Sequence, residues 1–139
     1  MKNKTYDLTS KVRLQSKKQL AGIIETRKEG EFAYVYGSFS EGLPFHDIDI
    51  GIYTSGVKKE DATFYALDIS RLIEAEVHMP VDVRVLNYAP VSFLYHVIRG
   101  ELIFERDEDM RVDFVENTVR RYLDIKPLIR RGIKEAFAA

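Results

Sequence analysis

Strict alternation over Asp47-Ile48-Asp49-Ile50-Gly51-Ile52-Tyr53 constrains this chain more than any other stretch. Such a run predicts a β-strand. Side chains then alternate between faces, with Ile48, Ile50 and Ile52 on one and Asp47, Asp49 and Gly51 on the other. The isoleucines belong against a core. The opposite face is left with two carboxylates about 6.6 Å apart along the strand. A second alternating run, Val81 to Leu86, places Asp82 on its polar face. If the two strands are neighbours, three carboxylates converge, and a like-charge pair about 4 Å apart costs roughly 4 kcal/mol at an effective dielectric of 20. A cation would relieve that repulsion, and oxygen-only donors suit Mg²⁺ or Mn²⁺ better than Zn²⁺. Two such ions about 3.5–4 Å apart are built for in-line displacement at phosphorus.

The preceding segment supplies a complementary feature. Phe32 to Tyr36 reads as a short buried strand, and Gly37-Ser38 follows it directly. Gly37 allows a tight exit and close backbone approach to a ligand. Ser38 offers a hydroxyl and an N–H, and a short helix beginning there would turn free N–H groups toward an anion. Gly42 is a second flexible position in the loop. A Gly-Ser at a strand end is by itself usually only a turn, and an Asp-x-Asp on a strand is more often a solvated face. The ordered set of apolar strand, Gly-Ser, short loop, Asp-x-Asp strand, helix and Asp82 strand is far more specific. It reads as a phosphate grip followed by a divalent-metal site, in an enzyme that moves a nucleotide from a triphosphate to an acceptor.

The rest of the chain predicts a layout in which these strands sit among helices. Ser10 to Lys28 carries Val12, Leu14, Leu20, Ile23 and Ile24 at helical spacing and ends near Gly30. Lys58 to Val77 is a crossover helix with Phe64, Leu67, Leu72 and Ile73 toward one face, stopped by Pro80. A short helix is expected between Pro90 and Gly100, and an edge strand over Glu101 to Glu105. From Asp107 a helix runs to about Ile125, and Pro127 is expected to kink or break it before a last helix over Leu128 to Phe137. The expected fold is α/β (α+β), a small mixed sheet flanked by helices with a C-terminal helical tail. All of 1–139 forms a single domain, its core spanning about 10–105 and its C-terminal helices about 107–138.

Composition narrows the classes. Twenty-one basic residues stand against 22 acidic ones, for a net charge of −1. That balance argues against a broad nucleic-acid footprint, so no DNA partner is expected. The chain has no cysteine, which excludes disulfides and thiolate metal sites. The start of the sequence has no apolar signal segment and no run is long enough to span a membrane, so a cytoplasmic location with no membrane partner is expected.

The stretch Gly37-Ser38, spacer, Asp47-x-Asp49 resembles the nucleotidyltransferase signature of the DNA polymerase β superfamily, in its minimal nucleotidyltransferase (MNT) branch. Further along, Pro80-Val81-Asp82-Val83-Arg84-Val85-Leu86-Asn87-Tyr88-Ala89-Pro90 is similar to that family's third-aspartate strand and the Asn-x-Ala-Pro after it. Val97 to Arg106 is similar to its helix end, glycine and short strand, and Arg121 to Leu128 resembles the C-terminal helix of MntA-type adenylyltransferase antitoxins. The likeness runs from about Phe32 to Ala139. It implies a polymerase β-type nucleotidyltransferase fold in which Asp47 and Asp49 hold both metal ions. Asp82 would complete the metal site and help deprotonate the acceptor, while Gly37 and Ser38 hold the triphosphate. It also implies Mg²⁺ as cofactor, with Mn²⁺ as the substitute, ATP as donor, and as acceptor a tyrosine of a HEPN-type ribonuclease toxin silenced by AMP. Two departures stand out: the spacer between Ser38 and Asp47 holds eight residues, two fewer than usual in the family, and His46 replaces the usual serine. Glu41 adds a negative charge near the triphosphate position.

Three readings follow. The first is an adenylyltransferase antitoxin. The second is a binding-only antitoxin that blocks its partner sterically. The third is a nucleotidyltransferase acting on a small molecule, for which the chain is too short to hold a large substrate domain. Val112, Val115, Val119, Tyr122, Ile125 and Ile129 repeat at helical spacing near Arg120, Arg121, Lys126, Arg130 and Arg131. That stripe is expected to pack on the sheet, with the basic residues as a solvated face; a partner or a second copy of the chain is the alternative occupant. His78 and His96 lack the partners of a metal or acid/base site, and Tyr34, Tyr36 and Tyr53 read as core or strand-edge residues.

Overall fold

The computed structural model describes residues 4–138. Its elements in chain order are α1 (Ser10–Glu25), β1 (Gly30–Tyr36), β2 (Ile48–Thr54), α2 (Ala62–Val77, entered through a 3₁₀ turn at Lys59–Asp61), β3 (Val81–Val85), α3 (Val91–Ile98), β4 (Glu101–Glu105) and α4 (Glu108–Ala136). The strands form one mixed sheet in the order β3-β2-β1-β4. β1 runs antiparallel to both β2 and β4, and β2 runs parallel to β3 through the α2 crossover.

Alternation in the strands gives the sheet two buried faces. Ala33, Val35, Ile48, Ile50 and Ile52 join Leu20 and Ile24 of α1 and Ala66, Ile69 and Ile73 of α2 in one core. Phe32, Tyr34 and Tyr36 join Leu94 and Val97 of α3 in the other, with Phe114 and Val115 of α4 packed against them. Gly51 lies under this second layer. A Cβ there would stand 2.8 Å from Leu86 Cδ2 and 3.0 Å from Val97 Cγ1, so α3 can close on the sheet only over a glycine.

Three expectations from the sequence need correction. In α1 the buried face is Arg13, Ser16, Leu20 and Ile24, whereas Val12 and Leu14 are exposed. The true stripe includes a buried guanidinium, and apolarity alone misplaces it. In α2 the buried face is Ala66, Ile69 and Ile73, and Phe64 is 74% exposed. Ala66, Ile69 and Ile73 are three and four residues apart, so helical period turns them together to the sheet. Finally, Pro127 does not break the last helix, which runs through it as the single α4. The carbonyl that Pro127 leaves without a donor is that of Leu123, four residues back. Leu123 is 57% exposed, so water can satisfy it. Among the described residues no helix is long and apolar enough to cross a membrane.

Gly51→Ala is expected to cost about 1–3 kcal/mol through overpacking against Leu86 and Val97. Urea unfolding should show this as a lower midpoint with an unchanged slope.

Candidate active site

One edge of the sheet collects the C-terminal end of β1 and the N-terminal ends of β2 and β3. Tyr36 pairs with Asp49 across the antiparallel ladder, and Asp49 pairs with Asp82 across the parallel one. Directly opposed residues share a face, so Tyr36, Asp49 and Asp82 form a row across three strands on the side covered by α3. Asp47 lies just before β2 and is exposed, while Asp49 and Asp82 are half-buried.

The three carboxylates act on one another. Burial, then Asp47, then Asp82 push the Asp49 carboxyl up from 3.8 to about 6, against the opposing pull of Arg84. Burial, Asp49 and Asp82 likewise raise the Tyr36 phenol, whose ring packs edge-on against Phe93 and His96. Arg84 Nε stands 3.3 Å from Asp82 Oδ2, and its guanidinium lies 5.5 Å over the Phe93 ring. Among the described residues no three carboxylate or imidazole groups close into a finished metal cage. The donor set is nonetheless all oxygen, and the raised Asp49 marks a place short of positive charge. Those are the properties that suit a hard divalent cation.

Gly37 follows Tyr36 at φ +77, the left-handed region that disfavours other residues. A Cβ there would fall 2.6 Å from Asp49 Oδ2. The glycine therefore lets the loop backbone lie against the carboxylate. The loop closes in turns and not as a helix: the Glu41 N–H donates to the Gly37 carbonyl at 3.1 Å and the Leu43 N–H to that of Ser38 at 3.0 Å. Ser38, the residue after Gly37, is exposed. A cavity of about 180 Å³ on the loop's other flank is lined by Tyr36, Gly37, Ser40, Glu41, His96 and Arg99 among others.

The shortened loop is held from behind. Phe39 and Phe45 pack edge to face at 5.1 Å, and Tyr6 forms an isolated β-bridge with Phe45. Arg13 of α1 donates from Nη1 to the Phe39 carbonyl at 3.0 Å and from Nε to that of Leu8 at 2.9 Å. Its guanidinium sits within 5.7 Å of the Phe39 ring and 5.2 Å of the Phe45 ring. His46 Nδ1 is 3.1 Å from the Lys4 carbonyl, so the histidine secures the loop to the N-terminal segment. His78 closes α2 in the left-handed conformation at φ 58. Sequence reasoning missed Arg13, Arg84 and the place of Tyr36 in the row. Only the period of α1, which puts Arg13 seven residues before Leu20 on the same face, could have signalled the first.

An antiparallel and parallel mixed sheet with carboxylates on adjacent strand ends and a glycine loop against them defines a nucleotidyltransferase architecture. The polymerase beta nucleotidyltransferase family matches in sequence over residues 18–109, and the chain belongs to that family. None of the curated proteins matches it in sequence. Solved structures share the fold. A chain of the complex of tri-AMPylated Shewanella oneidensis HEPN toxin with MNT antitoxin superposes at TM-score 0.71 and 15% identity, covering 91% of this chain and 99% of that one. A double aspartate-to-glutamate variant of the MntA–HpeT toxin–antitoxin gives TM-score 0.74 at 16% identity, with 88% and 98% covered. A toxin–antitoxin with AMP-PNP gives 0.73 at 16% identity, with the same coverage.

Two predictions follow from this geometry. Without divalent metal the folded state holds a proton on Asp49 between pH 3.8 and about 6, where the unfolded chain has released it. Stability should therefore fall as pH rises through that window. Asp49→Asn removes the loss, and in metal-free buffer at pH 7.5 it should unfold about 1 kcal/mol later than the parent, a figure reduced for solvent screening of a half-buried group. The two proteins should converge below pH 4. Gly37→Ala forces both a strained φ and a displaced Asp49 carboxylate, and a stability loss of about 1–3 kcal/mol is expected in chemical denaturation.

Proposed function

We propose that this protein is an antitoxin that transfers AMP from ATP to a tyrosine hydroxyl of a HEPN-type ribonuclease toxin. The observation that carries this reading is the contact of the Gly37 backbone with Asp49, in register with Asp82. It sets a glycine loop directly beside a carboxylate row, which supports a phosphate grip there. The family membership supports nucleotidyl transfer. The likeness in fold to chains from an AMPylated HEPN toxin–MNT antitoxin complex and from a toxin–antitoxin with AMP-PNP supports the partner and the donor.

Each residue has a role in this reading. Gly37 and the Ser38 hydroxyl grip the triphosphate, whose tail lies along the loop. Asp47, Asp49 and Asp82 would hold Mg²⁺, with Mn²⁺ as the substitute, and such an ion would neutralise phosphate charge and ease deprotonation of the acceptor hydroxyl. Asp82, at the outer end of the row, faces the acceptor and takes up its proton. Phe93 and His96 pack edge-on against the Tyr36 ring and fix it beside the row. The acceptor oxygen attacks the α-phosphorus, its bond to phosphorus forms as the bond to the bridging oxygen breaks, and pyrophosphate leaves.

A second reading, a binding-only antitoxin, is favoured by two observations. Glu41 puts a negative charge on the phosphate loop, and Arg84 already engages Asp82. In that case α4 would carry the effect, because its apolar face continues past the sheet to Ile129 and Ile133.

Intact mass of the partner toxin after incubation with this protein, ATP and Mg²⁺ separates the two readings. Adenylyl transfer should add one or more AMP units, and the Asp47→Ala/Asp49→Ala double variant should add none. A stable complex with suppressed ribonuclease activity and unchanged mass would instead establish steric neutralisation.

A further inference from the structure

The row Tyr36–Asp49–Asp82 stops at β3, which is an edge strand. The ladder to β2 is fixed by the Ile48 N–H donating to the Pro80 carbonyl at 3.0 Å and the Leu86 N–H donating to that of Ile52 at 2.9 Å. In a parallel ladder one set of alternate residues faces the neighbour. Here Asp82 and Arg84 bond to β2, and Val81, Val83 and Val85 turn their main-chain groups to the open edge. Glu74 Oε2 accepts from the Val81 N–H at 2.9 Å, which caps the start of that edge and leaves Val83 and Val85 beyond it. Alongside runs a cleft of about 320 Å³ lined by Ala62, Thr63 and Ala66 of α2, by Ala89, and by Lys59 and Arg84 at its rim. Apart from Tyr88 its apolar lining is alanine and valine, and its charged residues, Lys59 and Arg84, are cationic.

We propose that the acceptor polypeptide docks by adding as a fifth strand to the free edge of β3. The observation that assigns it is the unpaired Val83–Val85 edge lying one strand beyond Asp82. Adjacent strands are about 4.8 Å apart, and directly opposed residues share a face. A residue opposite Asp82 on the added strand would therefore extend the row itself, with its hydroxyl beside the last carboxylate. Its two neighbours would point to the other face, into the alanine- and valine-lined cleft, which fits small or medium apolar side chains. The residue two further along returns to the row's face opposite Arg84. The Arg84 side chain is 58% exposed and can turn to a carboxylate there. Main-chain bonds would give affinity and these alternate positions would give selectivity. The segment recognised is thus extended, with a hydroxyl side chain, apolar neighbours and an acidic residue two positions away. The inference rests on the adenylyl-transfer reading only for what happens to that hydroxyl.

The test uses the full chain and the peptide acetyl-Thr-Val-Tyr-Val-Glu-Val-Thr-amide. Amide hydrogen exchange is followed by NMR with and without millimolar peptide. Strand addition should slow exchange at Val83 and Val85 by roughly tenfold or more, and leave Arg84 and Leu86, already bonded to β2, unchanged. The same peptide N-methylated on alternate amides should give no protection, and Thr63→Trp, which fills the exposed rim of the cleft, should abolish it. Absence of protection at Val83 and Val85, or protection that survives N-methylation, overturns the proposal. Mass spectrometry of the peptide after addition of ATP and Mg²⁺ separates the two ideas. Protection without AMP transfer keeps the docking mode and leaves the adenylyltransferase reading to the intact mass of the toxin; transfer without protection keeps that reading and overturns the docking mode.

Discussion

Register between β2 and β3 is the constraint on which the rest of the structure depends. Ile48, Ile50 and Ile52 are fully buried on one face of β2, and full burial of such a side chain is worth about 1.5–3 kcal/mol. A slip of one residue would exchange the two faces and put carboxylates into the core. The isoleucines therefore hold Asp49 opposite Asp82 even though the two repel. Hydrophobic burial, spread over the strand, pins a concentrated electrostatic cost at its end. The raised Asp49 carboxyl is the local expression of that conflict. Such stored cost is what an incoming cation can relieve, so the arrangement favours ligand binding over ligand-free stability.

The same logic explains why glycines sit where they do around the row. Gly37 admits the loop to Asp49, and Gly51, two residues along the same face, admits Leu86 and Val97. Gly100 performs a third service, since a Cβ there would run into the Val35 carbonyl. It allows the turn from α3 into β4 to press against β1 just before the loop. Each is a place where backbone or a large side chain comes closer than a methyl group permits. Together they seat α3 low over the sheet, against the ring of Tyr36. Lys17 Nζ, 2.8 Å from Glu101 Oε1, ties β4 to α1 on the opposite side.

Much of this was legible in the sequence because strand signals are local. The alternation of 47–53 and 81–86 carried both strands and their faces, and the order of strand, Gly-Ser and Asp-x-Asp carried the family. The mixed sheet, the crossover helix and the edge position of β4 follow from those elements. Less legible were features set by what lies across a gap. The apolar count of α1 pointed to Val12 and Leu14, yet the loop behind the row needed the Arg13 guanidinium for its carbonyls and rings. Phe64 and Leu67 on α2 looked like core, but the helix turns Ala66, Ile69 and Ile73 to the sheet instead. Arg84 could be read as a surface charge until β3 was placed beside Asp49. Pro127 was read by a rule in which the lost rung ends the helix; here the carbonyl it frees lies on an exposed stretch, and the helix runs on with that cost unrelieved.

That helix has a consequence for how the molecule comes apart. Beyond Tyr122 only Ile125 retains partial burial, and Leu128, Ile133 and Phe137 face outward. Isolated helices of about 12–15 residues are marginal in water, and Leu123 to Ala136 is a segment of that length that also contains a proline. Its winding is then governed by the helix–coil equilibrium of a peptide, not by the all-or-none melting of the sheet. Heating would fray the tail gradually over a broad range while the body still holds its shape, and the two would give up their structure on separate schedules.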